Sequence, residues 1–278
     1  MSERPVAPLP SSTVILLDED AAGRGPFRIL MVKRHGSVTF PGVHAFPGGV
    51  VDPADADAPG ATLPADQRWA SPQAGDDAST ALPYWVAAAR ELFEEVGVLL
   101  AVREGRMVCG PLGPEARALR ERLHGAIGFA ALLAEIDAVP ATHTLYSFAR
   151  WVTPSVNPRR FDTRFLVGRM PVGQEPCPDG TETESCAWYT PAAALDAYLA
   201  GEIELIPPTV RTLDDLARFP SVDAALGHAR TRGVVPACPE IETQGDRVTM
   251  RYPGLVGDPL LPDRRLVLER GRWRPLSD

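Results

Sequence analysis

The stretch VAAARELFEEVGVLL, residues 86–100, places three glutamates, Glu91, Glu94 and Glu95, within five positions. On an α-helix these side chains lie at i,i+3 and i,i+4 spacings, where like charges destabilise the helix by roughly 0.2–0.5 kcal/mol per pair. A divalent cation such as Mg²⁺ binds through carboxylate oxygens and would remove this repulsion. The pattern therefore indicates either a metal-binding helical face or, as the alternative, a solvated charged face.

Apolar residues recur at helical spacing through the same region and predict where the helix lies. They form one stripe that a core would cover, made of Trp85, Ala88, Ala89, Leu92 and Val96. Pro83 suits a first helical turn, and Gly97 suits the position just after the last turn. We predict a helix over residues 83–96 whose acidic face is directed away from the core.

The rest of the chain alternates irregularly between segments typical of strands and segments typical of helices. Strands are predicted at 12–17, 27–34, 98–102, 142–154, 160–170 and 185–189, with a weaker pair at 247–252 and 264–273. Helices are predicted at 114–124, 128–137, 190–202, 207–219 and 222–230. This order favours an α/β sandwich over a regular doubly wound sheet.

The domain organisation is predicted to be simple. Residues 1–10 are proline-rich and predicted to be a flexible arm, and residues 11–278 are predicted to form one domain with a C-terminal extension from about 203. Residues 53–81 are rich in Ala, Asp, Pro and Gly and show no periodicity. They are predicted to be a surface insertion that acts as a lid or a partner surface.

Charge and cysteine usage restrict the function classes. A formal net charge of −8 disfavours a nucleic-acid binder, which needs a basic surface. No run of 18 apolar residues occurs in the sequence, which disfavours a membrane protein. The four cysteines are Cys109, Cys177, Cys186 and Cys238, and no two of them form a C-x-x-C pair. This spacing disfavours a zinc site and predicts reduced thiols in a cytoplasmic protein.

Two segments together resemble the Nudix box, G-x5-E-x7-R-E-U-x-E-E-x-G-U, in which U is aliphatic. RELFEEVGV (90–98) matches its second half position by position, and FPGGVVD (46–52) resembles its opening with Gly49 as the first glycine. Gly49 and Arg90 lie 41 positions apart where the pattern has 14, so 27 residues are inserted. The glutamate of G-x5-E would fall on Leu82 counting back or on Asp55 counting forward, and its role is assigned to neither.

Further segments resemble one subgroup of the Nudix hydrolase family, the relatives of the peroxisomal coenzyme A diphosphatase. These segments are ILMVKRH, PGVHAFPGGVVDPAD, RWVTP with NPRRFDTRF, TETESCAWYTPAAAL and LIPPTVRTLDDLA, and the likeness covers about residues 11–220. The resemblance implies an α/β/α sandwich with a mixed sheet. It also implies hydrolysis of a small-molecule nucleoside diphosphate derivative, with coenzyme A or acyl-CoA as the favoured substrate, giving 3′,5′-ADP and 4′-phosphopantetheine. An ADP-ribose- or NADH-type pyrophosphatase and a non-catalytic Nudix-like binding module are the alternatives, and a homodimer remains open.

The resemblance also implies roles for the box residues. Glu94 and Glu95 would bind Mg²⁺ or Mn²⁺, and Glu91 would be a further ligand or the base that aligns water. Arg90 would orient a carboxylate, and a backbone carbonyl near Gly48 or Gly49 would complete the coordination sphere, because glycine lets the main chain approach closely.

Outside the box, two groups of side chains are candidates for the same chemistry. Glu182 and Glu184 precede a predicted strand, and Glu184 is taken as the assisting acid, although the pattern does not separate the two. Three arginines flank the segment FDT, and arginine suits bidentate phosphate recognition; they are Arg159, Arg160 and Arg164. A solvated strand edge is the alternative explanation for them. Lys33 and Arg34 end a strand near the box and are weaker candidates.

Overall fold

The structure is a computed structural model that describes residues 6–19, 27–36, 40–67, 78–112, 114–123, 128–252 and 265–276. Its centre is a seven-stranded mixed sheet, in which five strands lie in the order β10-β2-β1-β9-β8 while β3 pairs with β2 and β4 with β1. The strands are β1 (Leu9–Asp18), β2 (Arg28–Arg34), β3 (His44–Ala45), β4 (Gly48–Val50), β8 (Tyr146–Val152), β9 (Phe161–Arg169) and β10 (Thr183–Tyr189).

The sheet is mixed because β1 and β9 run parallel, whereas the other pairs are antiparallel. Side chains alternate between the two faces of a strand, so Ile15 and Leu17 belong to one apolar core and Val14 and Leu16 to the other. Each face is covered by helices, and this confirms the predicted α/β sandwich.

One core is covered by α1 (Ala78–Val96), the helix that carries the three glutamates. It begins five residues before the predicted start, so Pro83 lies inside the helix rather than in its first turn. Pro83 removes one helical hydrogen bond, but the buried side chains of Ala81 and Trp85 anchor the helix on both sides of it. Gly97 ends the helix as predicted, with φ +68°.

The same side of the sheet carries smaller elements beyond α1. A three-stranded sheet in the order β6-β5-β7 lies beside two short helices. These elements are β5 (Ala101–Arg103), β6 (Arg106–Met107), α2 (Pro114–Leu123), α3 (Phe129–Ala134) and β7 (Ala138–Pro140). The strand predicted at 98–102 is therefore displaced by a few residues.

The opposite face of the sheet is covered by the C-terminal third of the chain. Three helices pack there, α4 (Pro191–Ala200), α5 (Pro207–Leu216) and α6 (Val222–Thr231). A four-stranded sheet in the order β11-β12-β13-β14 follows. Its strands are β11 (Glu240–Gln244), β12 (Arg247–Arg251), β13 (Leu266–Glu269) and β14 (Arg272–Pro275).

Two sequence predictions for this sheet were wrong. The segment predicted as one strand at 264–273 is a hairpin, because Arg270 and Gly271 both adopt positive φ and reverse the chain. The strand β11 was not predicted; its sequence EIETQ is short and mostly polar, and pairing with β12 defines it.

The predicted insertion at 53–81 is partly structured. A 3₁₀ helix spans Pro53–Ala56, and α1 itself begins within the predicted insertion. Thr62 exchanges hydrogen bonds with the Thr142 hydroxyl, and the Gln67 side chain accepts one from the amide of Ser147. Residues 68–77 lie outside the described residues, so a lid or partner role for the segment stays a prediction.

Three further sequence predictions concern the N-terminal segment, membrane-spanning helices and the cysteines. Leu9 and Pro10, which the sequence placed in a flexible arm at 1–10, pair with β9 in the central sheet, and residues 1–5 lie outside the described residues. Within the described part of the chain, no helix is long and apolar enough to span a membrane. All four cysteines carry free thiols.

Candidate active site

The acidic face of α1 meets the β4 turn rather than bulk solvent. Glu91 and Glu95 are 9% and 3% exposed. The Gly48 amide donates a hydrogen bond of 3.1 Å to Oε2 of Glu95. A Cβ atom built at Gly49 would overlap the Glu91 carboxylate, so only glycine lets this backbone pass so close to the acid. The solvated-face explanation therefore does not hold for these two glutamates.

Arg90 connects the helix to the loop that follows β4. Its guanidinium donates to Oε1 of Glu91 at 2.8 Å and to Oε2 of Glu94 at 2.7 Å. It also donates to both carboxylate oxygens of Asp55, at 2.9 and 3.1 Å, and to the Val50 carbonyl at 3.0 Å. The orienting role predicted for Arg90 toward Glu94 agrees with this geometry, although the arginine contacts more groups than the sequence indicated.

Asp55 is the functional residue that the sequence analysis left unassigned. It lies in the 3₁₀ helix, where its carboxylate also accepts a hydrogen bond from the Asp52 amide at 2.7 Å, and it is 2% exposed. Counting forward from Gly49, Asp55 stands at the position of the box glutamate, and the structure pairs it with Arg90. The opening of the box therefore keeps its spacing, and the inserted residues all lie after Asp55.

Burial changes the proton affinity of the acids on α1. Desolvation raises the pKa of Glu91 to about 7; Arg90 opposes this rise, and the charge of Glu94 adds to it. Desolvation likewise raises the pKa of Glu95 to about 8, aided by Glu91 and opposed by Arg34, whose Nη1 lies 3.9 Å from Oε1 of Glu95. For Arg90, burial acts to lower the pKa, but the Asp55 hydrogen bond and the neighbouring carboxylates raise it overall.

The carboxylate oxygens of these acids are ligands that hard divalent cations prefer. Carboxylates held close together and away from water favour a bound cation over three protons, and glycine at position 49 lets the main chain lie against the Glu91 carboxylate. In this structure Arg90 supplies the positive charge between Glu91 and Glu94. Accordingly, the described residues contain no group of three Asp, Glu, His or Cys side chains already arranged as a metal centre.

The acids lie at one side of a cleft of about 790 Å³, within the size range of small-molecule sites. The cleft crosses the sheet from the β2–β3 connection to the β8–β9 connection, and the C-terminal sheet forms part of its wall. Most of its lining is apolar. Charged side chains are interspersed in this lining, and they are Arg34, Arg90, Glu91, Glu94, Arg159 and Glu182.

The structure separates the two acids that the sequence could not. Glu182 lines the cleft, and its charge raises the pKa of both Glu91 and Glu95. Glu184 forms an ion pair with Lys33 at 3.0 Å and does not line the cleft. Glu182 is therefore the better placed assisting acid, and the choice of Glu184 is not supported by the geometry. The irregularity in the β2–β10 pairing between Thr183 and Ser185 redirects the side chains here.

The three arginines also occupy different places. Arg159 lines the cleft, with its guanidinium 5.2 Å from the centre of the Phe161 ring. Arg160 donates hydrogen bonds to the carbonyls of Thr153 and Val6 and holds the start of the chain. Arg164 points to the opposite face of the sheet, where it is 2% exposed and stacks 4.5 Å from the Tyr84 ring of α1. Arg159 alone of the three is placed to contact a ligand in the cleft.

Comparison with known proteins connects this geometry to a family. The family model described as "NUDT19 Nudix domain" matches residues 11–218. The human protein named acyl-coenzyme A diphosphatase NUDT19 is 31% identical over 233 residues, covering 70% of this chain and 62% of the relative. The chicken (Gallus gallus) protein of the same name is 30% identical over 261 residues, covering 75% of this chain and 68% of the relative. The chain thus spans less than two thirds of the human relative's length.

A solved structure supports the fold. The crystal structure of a Nudix hydrolase from Alicyclobacillus acidocaldarius is 28% identical and superposes with a TM-score of 0.68, covering 80% of this chain and 97% of that chain. The family-model match ends at Arg218, two residues after α5 ends at Leu216. Helix α6 and the C-terminal sheet, which forms part of the cleft wall, therefore lie outside the matched region.

The Asp55–Arg90 pair predicts a stability difference between two substitutions. Asp55→Ala should lower the free energy of unfolding by about 3–5 kcal/mol, because it leaves the buried guanidinium without its bidentate partner. Asp55→Glu should retain most of the stability, since it keeps the charge. Urea unfolding of both variants and the wild type measures the difference; equal losses in the two variants would contradict the role of the carboxylate.

The raised pKa of Glu95 predicts a pH-dependent stability. Its folded pKa of about 8 exceeds the reference value of 4.5, so the folded protein binds a proton more tightly than the unfolded chain. The stabilisation is complete below about pH 4.5 and is lost as the pH rises through 8. The stability of the wild type relative to Glu95→Gln should therefore fall from pH 5 to pH 9. Urea unfolding in EDTA tests this, and a constant difference would exclude it.

Proposed function

Because this chain belongs to the Nudix hydrolase family, we propose that it hydrolyses the diphosphate of coenzyme A and acyl-CoA, giving 3′,5′-ADP and a 4′-phosphopantetheine product. The observation that carries the proposal is the burial of Glu91 and Glu95 against the Gly48–Gly49 backbone at the side of the cleft. Burying two acids with raised pKa values costs stability. Such an arrangement is typical of a site where function requires the charge.

The acids of α1 would hold Mg²⁺ or Mn²⁺, with Glu91, Glu94 and Glu95 as ligands and a Gly48 or Gly49 carbonyl as a further donor. When bound, the ion neutralises charge on the diphosphate and lowers the pKa of water. Arg90 would then keep its bidentate pair with Asp55 and orient Glu94 from behind. This arrangement keeps the carboxylates directed at the cleft instead of at each other.

The remaining residues of the cleft supply the proton transfer and the charge balance. The attacking water forms a bond to one phosphorus atom while the bond from that atom to the bridging oxygen breaks, and the released phosphate leaves as the anion. Glu182, which lines the cleft, would accept the water proton, with Glu91 as the second candidate. Arg34, which already lies 3.9 Å from Glu95, would stabilise the negative charge that develops on the phosphate oxygens.

The choice of coenzyme A rests on the relatives and on the cleft. The human and chicken relatives carry the name acyl-coenzyme A diphosphatase. The cleft has room for a substrate with a long non-nucleoside arm, and Arg159 suits a phosphate group such as the 3′-phosphate of coenzyme A. An ADP-ribose- or NADH-type pyrophosphatase is the rival activity, since those substrates share the adenosine diphosphate half.

A non-catalytic Nudix-like binding module is the rival of another class. Such a module has no need of three carboxylates grouped on one helical face beside the cleft. Here Glu91, Glu94 and Glu95 all remain; Arg90 holds the first two, and the Gly48 amide holds Glu95. Metal-dependent turnover discriminates between the two classes.

A substrate panel tests the proposed activity. The wild type should release 3′,5′-ADP from coenzyme A with Mg²⁺ or Mn²⁺ and lose this activity in EDTA, while ADP-ribose is cleaved more slowly. Glu94→Gln and Glu95→Gln should each lower kcat at least about 100-fold, because they remove charged groups that act on the transition state. Glu202→Gln, at an exposed position outside the cleft, is the matched control. Cleavage of ADP-ribose but not coenzyme A would contradict the proposed substrate.

The assignment of the assisting acid has its own matched pair. Glu182→Gln should lower kcat by about 10²–10⁴-fold, the range of general acid–base catalysis. Glu184→Gln should leave kcat within about twofold, since that side chain pairs with Lys33 outside the cleft. Steady-state kinetics on coenzyme A measure both. The reverse order would restore Glu184 as the catalytic acid and contradict the role given to Glu182.

A further inference from the structure

The cleft has two chemically different ends, and the sheet order sets them apart. One end lies at the β2–β3 connection, the other at the β8–β9 connection, with β1 and β9 between them. The β3–β4 segment also lies between β2 and β1 at this edge, so at about 4.8 Å per strand the two ends are about 19 Å apart. The β4 segment with Gly48 and Gly49 pairs with β1, so the acids lie between the ends. A diphosphate bound at the acids would therefore send its two substituents in opposite directions.

The β2 end carries an exposed aromatic ring in an unusual backbone conformation. Phe40 is 50% exposed and has φ +58°, a region that bulky residues rarely occupy. The loop holds it there, because the Gly42 amide donates to the Arg34 carbonyl and the Val43 amide to the Phe40 carbonyl. Strain of this kind persists where the surrounding structure imposes it and is concentrated at ligand clamps.

Opposite Phe40 lies the start of α5, which lacks the usual donors of a helix N-terminus. The N-cap is Ile206, which makes no capping hydrogen bond through its side chain, and Pro207 and Pro208 follow it. Neither proline has an N–H group, so two of the amides that a helix start normally offers to an anion are missing. A parallel bridge between Val43 and Glu204 holds this turn beside the Phe40 loop. The pair of surfaces suits the apolar methyl and methylene groups of a ligand.

The β8 end has the opposite character. Arg159 and Asn157 are exposed polar side chains that line the cleft there. Ile241 of β11, 63% exposed, lies on the same side together with Pro239 and offers a flat apolar contact. A cation, an amide and an apolar surface together suit a phosphorylated nucleoside, with its phosphate at Arg159 and one face of its base on Ile241.

We propose that Phe40 and the Ile206–Pro207–Pro208 turn form a clamp for the aliphatic arm of the substrate, while Arg159 binds the nucleotide at the other end. The inference rests on the proposed function, since it assumes a diphosphate at the acids. The clamp sets the direction in which the substrate lies in the cleft, and it selects the non-nucleoside half of the substrate by apolar contact. The methyl and methylene groups of the pantetheine arm cover the Phe40 ring and the two prolines, whereas the terminal ribose of ADP-ribose, with hydroxyls on most of its carbons, would lose water there without gaining partners.

The test measures binding of the two product halves separately by calorimetry. Phe40→Asn removes the ring, and asparagine tolerates positive φ, so the backbone is not strained further. This variant should bind 4′-phosphopantetheine about tenfold more weakly than the wild type and bind 3′,5′-ADP unchanged. Arg159→Ala should show the reverse pattern. Phe40→Leu, which keeps an apolar side chain, should lose about threefold or less for 4′-phosphopantetheine.

Val172→Asn is the matched control, because Val172 is a 75% exposed apolar residue that does not line the cleft. It should change neither affinity. If Phe40→Asn leaves 4′-phosphopantetheine binding unchanged, or weakens both ligands equally, the clamp is overturned even when the wild type cleaves coenzyme A. If the wild type cleaves no coenzyme A, the proposed function fails, and the clamp for its aliphatic arm fails with it.

Discussion

The guanidinium of Arg90 is the contact on which the site depends, because it joins β4 and the 3₁₀ helix after it to the acidic face of α1. It fixes the loop after β4 through Val50 and Asp55 and fixes the acidic face of α1 through Glu91 and Glu94. A buried arginine is tolerated only when its donors are satisfied. The same requirement therefore fixes the helix relative to the β4 turn and keeps the carboxylates from separating.

The site opposes the stability of the fold around it. Burial raises the pKa of Glu91 and of Glu95. At neutral pH the folded protein must therefore either protonate these acids or keep their charges away from water, whereas in the unfolded chain both acids are ionised and hydrated. A core of apolar side chains on each face of the sheet offsets this cost. Proteins accept such local destabilisation where the charge is needed for chemistry.

The inserted segment and the C-terminal sheet modify the surroundings of the site without changing its centre. The insertion enters the box after Asp55, so the spacing from Gly49 to that acid is preserved while the path to α1 lengthens. Within the insertion, Thr62 hydrogen-bonds to Thr142 and Gln67 to Ser147. The C-terminal sheet, outside the family match, adds Pro239 and Ile241 to the cleft wall. Variation in the C-terminal sheet can alter what fits the cleft while the acids stay in place.

The sequence by itself determined the acidic helix ending at Gly97 and the α/β sandwich, because these follow from spacings of a few residues and from alternating apolar positions. The family came from the resemblance of residues 46–52 and 90–98 to the Nudix box. Only the tertiary structure selected Asp55 as the partner of Arg90, favoured Glu182 over Glu184 and turned Arg164 away from the cleft. Each of these depends on which residues distant in sequence meet, or on which face of a strand a side chain occupies. A one-residue change of register reverses that face, and packing across the whole sheet sets the register.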